Sequence, residues 1–157
     1  MTNGALTEAL LALLAIILVV AAVIDVRTFT ISNRLNLTVA LLAPVYWVSI
    51  GMNFWPDAAV QVGVAIGVFA LLAFAFYLRM MGGGDVKLAA ALALWFAPAG
   101  TFRFLVIMSI AGGVLTLIVI GFHKLKRKEG RAEVPYGVAI AFGALTILAQ
   151  RFLNQFA

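Results

Sequence analysis

The 157-residue chain contains no cysteine and a single histidine. Disulfide bonds, thiolate metal clusters and cysteine nucleophiles are therefore excluded, and so is a metal site built from several histidines. Charge is also scarce, since only 11% of the residues are Asp, Glu, Lys or Arg. Any binding or catalytic chemistry must come from a small number of polar side chains.

Apolar residues, in contrast, make up 65% of the chain, and the mean hydropathy is +1.14. Runs of roughly 20 apolar residues, enough to cross a hydrocarbon core of about 30 Å, recur along nearly the whole sequence. They predict an all-α, polytopic membrane protein with a single membrane-embedded domain over residues 1–157 and no soluble domain. Gly, Pro, Asn and charged residues interrupt the apolar runs, and their positions predict six transmembrane helices with short connections. The predicted helices lie at 5–25, 36–53, 57–78, 85–97, 102–122 and 134–153.

Basic residues are distributed unevenly along this pattern. Nine of the eleven Lys and Arg residues fall in or beside the first, third and fifth connections, and only Arg103 and Arg151 fall on the other side. Because basic residues are retained in the cytoplasm, this count predicts cytoplasmic odd connections and both termini outside. The run Lys124–Lys128, with Arg131, is expected to contact anionic membrane lipids, and no nucleic-acid partner is expected.

Two of the six acidic residues are unusual in position. Asp25 directly follows the apolar run Leu18–Ile24, and Asp85 ends the run Gly82-Gly83-Gly84-Asp85. An ionisable side chain at membrane depth is costly and commonly marks a functional site. The predicted topology places both aspartates at the same, cytoplasmic, face.

Each aspartate has two open interpretations. Asp25 either pairs with Arg27 or Arg34 at the interface or acts in catalysis, and Asp85 either caps the fourth helix or acts in catalysis. Two acids at one cavity suit peptide hydrolysis, in which one takes a proton from water and the other hydrogen-bonds the carbonyl oxygen. Helix dipoles favour Asp85, at a helix N-terminus, as the ionised base, and Asp25, at a helix C-terminus, as the acid.

Residues near Asp85 are candidates for supporting roles. Three glycines before it permit a close backbone approach, including that of an extended substrate. Lys87 is expected to orient Asp85, to receive an acidic substrate side chain, or to extend to the membrane interface. Asn33 is expected to hydrogen-bond within the site or to cap the second helix. The three glycines are Gly82, Gly83 and Gly84.

Small and aromatic residues lead to further structural expectations. Gly63 and Gly67 have a spacing that permits close helix packing, either within the chain or in a dimer. Three tryptophans near the predicted outer helix ends are expected to be interfacial anchors. They are Trp47, Trp55 and Trp95.

The motif around the second aspartate resembles that of the type IV prepilin peptidases, intramembrane aspartyl proteases marked by a GxGD sequence. Gly82, Gly84 and Asp85 match the motif, and Lys87-Leu88 continues it. The likeness covers all six predicted helices.

Two other segments carry the same resemblance. Asp25, followed by Ile31 and Asn33, looks like the family's first aspartate and its Ile-Pro-Asn segment, with Ser32 in place of the proline. The segment Val134-Pro135-Tyr136-Gly137 resembles another family segment near the active site.

The resemblance implies that Asp25 and Asp85 are catalytic, without a cofactor, and that the substrate is a prepilin cut at the cytoplasmic face of a bacterial inner membrane. The short chain is similar to peptidases of tight-adherence (Flp) pilus systems. Larger, bifunctional members of the family carry a cytoplasmic insertion with paired cysteines and also methylate the new N-terminus. This chain has neither the insertion nor any cysteine, so methyltransferase activity is not expected. A homodimer is left open. The alternative function is a small transporter or proton-relay protein that uses the same two aspartates.

Overall fold

The computed structural model describes residues 4–125 and 133–155, which form six α-helices. A π-helical turn, Phe54–Ala58, leads into the third of them. The helices are α1 (Gly4–Thr28), α2 (Asn33–Ser49), α3 (Ala59–Tyr77), α4 (Gly83–Ala93), α5 (Pro98–Leu125) and α6 (Tyr136–Gln155).

The predicted all-helical class is confirmed. Four helical segments are long and apolar enough to cross a membrane: Gly4–Thr28, Phe54–Tyr77, Pro98–Leu125 and Tyr136–Leu153. The other two helices are shorter, with 17 residues in α2 and 11 in α4. At 1.5 Å per residue, α4 reaches about half-way across a hydrocarbon core. Six membrane crossings therefore stay a prediction.

The outer surface of the helices is strongly apolar. Large hydrophobic side chains are exposed on every helix except α4, and few soluble proteins expose so much contiguous apolar surface. This surface suggests a membrane protein. Examples are Ile16, Leu41, Ile66, Phe102, Leu117 and Phe142.

The helices pack in two groups. In the first group α6 packs against both α1 and α5, and in the second α4 packs against both α2 and α3. The groups meet through contacts of α1 with α2 and of α4 with α6 and α5. One end of the assembly, which we call the aspartate end, gathers the C-termini of α1, α3 and α5 and the N-termini of α2, α4 and α6.

The buried residues of α1 form a single stripe along the helix, which explains the direction of the Asp25 side chain. The buried residues recur every three or four positions, so they lie on one side of the helix. They are Thr7, Leu10, Leu11, Leu14, Leu18, Ala21 and Asp25. Asp25 thus continues the face that carries the core leucines.

Several predicted helix ends differ from the observed ones by three or four residues: α2 spans Asn33–Ser49 and not 36–53, and α4 ends at Ala93 and not at 97. Two further ends, those of α1 and α5, have a clear physical consequence or cause. α1 continues to Thr28, so Asp25 lies one turn inside the helix and not at its last residue. α5 begins at Pro98 and not at residue 102, because proline is well suited to a first helical position, where no backbone N–H bond is lost.

The C-terminal end of α4 lies among side chains that satisfy its backbone. The indole N–H of Trp47 donates to the Leu94 carbonyl at 2.7 Å, and the Gln61 amide donates to the carbonyls of Ala93, at 2.9 Å, and Phe96. A helix end without water must find such partners, since its last carbonyls have none within the helix. These bonds allow α4 to end inside the protein.

The expectation of interfacial anchors is wrong for two of the three tryptophans. Trp47 and Trp95 are buried, and each donates its indole N–H to a backbone carbonyl, that of Val39 in the case of Trp95. Only Trp55 is exposed. The end of α4 needs interior donors, which explains why Trp47 turns inward, whereas Trp95 binds α2 and stacks on the Tyr46 ring.

Packing within the chain was the first expectation for Gly63 and Gly67, and it is also wrong. Both glycines are exposed on α3, and a Cβ added to either would meet nothing within 4 Å. α3 packs on α4 through another face, which includes Ala65, Val68 and Leu72.

The basic residues 126–128 and 131, expected to contact lipids, lie outside the described residues.

The end of α4 yields a stability prediction. Replacing Gln61, which is 3% exposed, by leucine removes both donated bonds and leaves two buried carbonyls without this donor. We expect Gln61→Leu to lower the free energy of unfolding by about 1–3 kcal/mol, measured by thermal unfolding in detergent. Gln150→Leu, at an exposed position of α6, is the control and should leave the unfolding temperature nearly unchanged. Equal unfolding temperatures for the two variants would show that the Gln61 bonds are unimportant.

Candidate active site

Asp25 is held by the first turn of the last helix. The side chain is 2% exposed, and its Oδ2 accepts a hydrogen bond from the backbone N–H of Gly137 at 2.7 Å. A Cβ at position 137 would lie 2.8 Å from that oxygen and 2.9 Å from Cγ. Only glycine therefore lets the backbone of α6 approach the carboxylate so closely.

The interpretation of Asp25 as an interfacial partner of Arg27 or Arg34 is wrong. Both arginines are exposed, whereas Asp25 points into the protein along the buried stripe of α1. A backbone N–H, and not a guanidinium group, satisfies its carboxylate.

Asp85 lies in the first turn of α4 and closes that turn. It is 7% exposed, and its Oδ2 accepts the backbone N–H of Gly82 at 3.1 Å. The Val86 N–H in turn donates to the Gly82 carbonyl at 3.2 Å. The capping interpretation of Asp85 is therefore correct, and it is compatible with a second role because the bond engages only one of the two carboxylate oxygens.

The two carboxylates are neighbours in space, although 60 positions separate them in the numbering. The Asp25 carboxylate binds the Gly137 backbone, and Tyr136, the neighbour of Gly137, lines the same cavity as Asp85. Two like charges so near each other cannot both ionise easily, so such a pair tends to hold one proton between them.

The basis for assigning the proton to Asp25 does not hold in the structure. That assignment used the C-terminal end of α1, which disfavours a negative charge. However, the N-terminal turn of α6 faces the same carboxylate through Gly137, and the N-terminal turn of α4 carries Asp85. Since both acids meet a helix N-terminus, which favours negative charge, helix dipoles do not separate them.

A cavity of about 700 Å³ lies beside the pair at the aspartate end. Asp85 lines it, whereas the almost fully buried Asp25 does not. Four other polar side chains line the cavity, from the α3–α4 connection, from the end of α5 and from the segment before α6. They are Arg79, His123, Lys124 and Glu133.

The close approach predicted for the glycine run occurs within the protein itself. A Cβ at Gly84 would lie 2.6 Å from the backbone carbonyl oxygen of Ile31, so the connection between α1 and α2 lies directly against this residue. At Gly82 a Cβ would lie 2.9 Å from Asp85 Oδ2. Gly83 differs, because a Cβ there would make only ordinary contact with the Phe76 ring at 3.5 Å. Contact of these glycines with a substrate stays a prediction.

Lys87 and Asn33 bind each other. The Lys87 ammonium donates to Asn33 Oδ1 at 2.8 Å. The prediction that Asn33 caps α2 is wrong, because Ser32 occupies that position and accepts the Leu35 N–H at 3.3 Å. Lys87 and Asn33 line a groove between α2, α3 and α4, separate from the cavity that Asp85 lines.

Two contacts of this site were not predicted from the sequence. Asn36, on α2, is 5% exposed and donates from Nδ2 to the Gly84 carbonyl at 2.9 Å. Gly137 lies in a segment that the family resemblance had indicated, but its bond to Asp25 had no signal in the sequence. Both contacts join residues far apart in the chain, and neither follows from helix periodicity.

The position of Gly137 is set by Tyr136. The Tyr136 ring lies against Gly112 of α5, where a Cβ would be 2.8 Å from the ring, and the Thr116 hydroxyl bonds the Tyr136 hydroxyl at 3.3 Å. Thus α5 positions the start of α6 next to Asp25.

Among residues 4–125 and 133–155, no cluster of three or more His, Asp or Glu side chains that could hold a metal ion is found.

Residues 12–117 match the model of the type IV leader peptidase family. The chain belongs to this family. The matched segment contains both aspartates and the glycine run, and it favours a protease over a transporter or proton relay. Neither a curated protein nor a solved structure matches the chain.

The contact of Gly137 with Asp25 can be tested by adding one methyl group. We expect Gly137→Ala to lower leader-peptide cleavage roughly a hundredfold, because the new Cβ would overlap the carboxylate and displace either Asp25 or the start of α6. The initial cleavage rate per amount of membrane-inserted protein is the measurement. Gly113→Ala, at an exposed site where a Cβ meets nothing within 4 Å, is the matched control. Full activity in both variants would contradict the assigned contact.

Proposed function

We propose that the protein is an intramembrane aspartyl endopeptidase that removes the short N-terminal leader of Flp-type prepilins, with Asp25 and Asp85 as its catalytic residues. Membership of the leader peptidase family supports the proteolytic activity. The observation that supports the aspartyl assignment is that two buried carboxylates lie at one end of the helices, with Asp85 lining a cavity and Asp25 bound to the residue next to Tyr136, which lines the same cavity.

The reaction uses the pair as one acid and one base. The ionised carboxylate removes a proton from a water molecule while the water oxygen attacks the scissile carbonyl carbon. The protonated carboxyl hydrogen-bonds the carbonyl oxygen as negative charge develops there. When the C–N bond breaks, the leaving nitrogen takes up a proton from the pair, which then again holds a single proton.

The backbone bonds to the aspartates prepare them for this chemistry. Gly137 and Gly82 each donate to Oδ2 of its aspartate, which fixes the carboxylate plane and leaves Oδ1 for water, substrate or the shared proton. Groups held in this way need little reorganisation when the reaction begins, which lowers the barrier.

The proposed topology directs the aspartate end to the cytoplasm of a bacterium, with the protein in the inner membrane, six crossings and both termini outside. The charge distribution supports it: the aspartate end carries most of the described basic residues, whereas Arg103 and Arg151 lie toward the other end. The basic residues of the aspartate end are Arg27, Arg34, Arg79, Lys87 and Lys124.

This topology fits the proposed substrate. A prepilin leader lies in the cytoplasm, and the cut precedes a hydrophobic helix that stays in the lipid. The cavity beside Asp85 would receive the leader in an extended form, as proteases commonly bind their substrates. Gly82, of the glycine run, also lines this cavity. The exposed face of α3 would be available to a second copy of the chain in a homodimer.

The proposal is tested with a co-expressed Flp-type prepilin and three matched variants. We expect the unmodified chain to remove the leader, and Asp25→Asn and Asp85→Asn each to give no detectable product, because neither an acid nor a base can be replaced by an amide. Asp57→Asn changes an exposed carboxylate at the opposite end and should cleave normally. Gel mobility and mass spectrometry of the new N-terminus give the readout, with membrane levels checked for every variant.

The outcomes separate the parts of the proposal. Cleavage by both Asp25→Asn and Asp85→Asn would show that the aspartyl assignment is wrong. Cleavage of another type IV leader, but not of a Flp-type prepilin, would keep the catalytic pair and reject the substrate.

A further inference from the structure

Asn36 contacts the turn that carries Asp85, although it lies on another helix. It is 5% exposed on α2, and its Nδ2 donates to the carbonyl oxygen of Gly84 at 2.9 Å. Gly84 immediately precedes Asp85 and is also pressed against the Ile31 carbonyl. The first turn of α2 and the connection before it therefore hold this turn at two points.

The other end of the Asn36 amide has no partner. Its Oδ1 is buried and accepts no hydrogen bond from the residues that the structure describes. The amide cannot simply be turned over, since that would place Oδ1 against the Gly84 carbonyl oxygen, and both atoms are acceptors. The bond from Nδ2 to Gly84 thus fixes the orientation of the side chain.

Packing alone does not explain an asparagine at position 36, because its Oδ1 is a buried acceptor without a partner among the described residues. A buried polar group without a partner costs about 1–3 kcal/mol, whereas leucine, of similar size, would fill the position without that cost. The groove next to Asn36 is mostly apolar and would accept a hydrocarbon side chain. What asparagine supplies, and leucine lacks, is the donor to Gly84.

The glycine run needs such an external support. Gly82, Gly83 and Gly84 have no side chains that could pack and fix their backbone, and glycine has more conformational freedom than any other residue. The internal bond from Gly82 to Asp85 Oδ2 closes the turn but does not tie it to another helix. Asn36 and Ile31 provide that tie.

We propose that Asn36 is a positioning residue for Asp85: its amide holds the Gly84 carbonyl, and so keeps the Asp85 carboxylate in register with Asp25. This role rests on the proposed function, because it supposes that the register of the two carboxylates governs the rate of cleavage. Asn36 itself lies in the groove on the α2 side and does not line the cavity beside Asp85.

The test replaces Asn36 by leucine, which keeps the volume and removes the donor. We expect Asn36→Leu to lower kcat for prepilin cleavage tenfold to roughly a hundredfold with KM little changed, because a small displacement of a reacting group is costly whereas substrate contacts stay in place. Its unfolding temperature in detergent should stay close to that of the unmodified chain, because removal of the orphaned acceptor offsets the lost bond to the Gly84 carbonyl. Thr38→Val, on the same helix, removes a hydroxyl that bonds only the Arg34 carbonyl and should leave kcat unchanged.

A second readout does not depend on activity. Hydrogen exchange of the backbone amides in residues 82–88 should become faster in Asn36→Leu than in Thr38→Val, because the first turn of α4 loses its tie to α2. Normal kcat in a folded Asn36→Leu protein, or unchanged exchange in this segment, would overturn the inference. So would a variant that is depleted from the membrane or melts early while its folded fraction cleaves normally, since that result indicates a structural role.

The two proposals can fail separately. If Asp85→Asn is inactive and Asn36→Leu cleaves at the normal rate, the positioning role is rejected and the aspartyl protease stands. If the unmodified chain cleaves no leader at all, hydrogen exchange still decides whether Asn36 holds the turn, while the proposed function is rejected.

Discussion

The hydrogen bond from the Gly137 backbone to Asp25 joins the first helix of the chain to the last. Its length of 2.7 Å, with no space for a Cβ at position 137, means that α1 and α6 are in direct contact where the carboxylate lies. The bond satisfies a buried charge-bearing group without bringing in a basic side chain. It also turns a helix N-terminus toward the carboxylate. The rest of the site is built around this fixed point.

Asp85 belongs to the other packed group of helices and is held there by similar means. A backbone N–H from Gly82 binds its Oδ2, and Ile31, in the connection before α2, lies directly against the preceding Gly84. Each acid is thus secured within its own group, while the contact between α1, α5 and α6 on one side and α2, α3 and α4 on the other brings the two acids together. The separation of the carboxylates therefore depends on how the two groups meet.

The same need to satisfy polar groups internally shapes the opposite end. α4 stops after 11 residues, and donors from Trp47 and Gln61 satisfy carbonyls at its end. In an apolar environment those carbonyls have no water to bind, so the side chains of Trp47 and Gln61 must lie in the interior to donate to them. Contacts at both ends of α4 therefore stabilise the position of Asp85 in the first turn of this helix.

Much of this arrangement was predictable from the sequence. The all-helical class follows from the apolar runs, and Asp25 and Asp85 stand out because charge is so rare in this chain. The inward direction of Asp25 was not visible, since apolar residues surround α1 on all sides and no polar face marks the buried stripe. The contacts of Asn36 and Gly137 were missed for another reason: they join residues 48 and 112 positions apart, and a single sequence carries no signal of such pairs.

The central claim is that Asp25 and Asp85 meet as a pair, and chemical cross-linking tests it most directly because the chain has no cysteine of its own. In membranes, the double variant Asp25→Cys/Asp85→Cys should form an intramolecular link with a short bifunctional thiol reagent. The control Asp57→Cys/Asp85→Cys, with thiols at opposite ends, should not. Absence of the link in the first variant, although a monofunctional reagent labels both of its thiols, would contradict the pairing of the two aspartates.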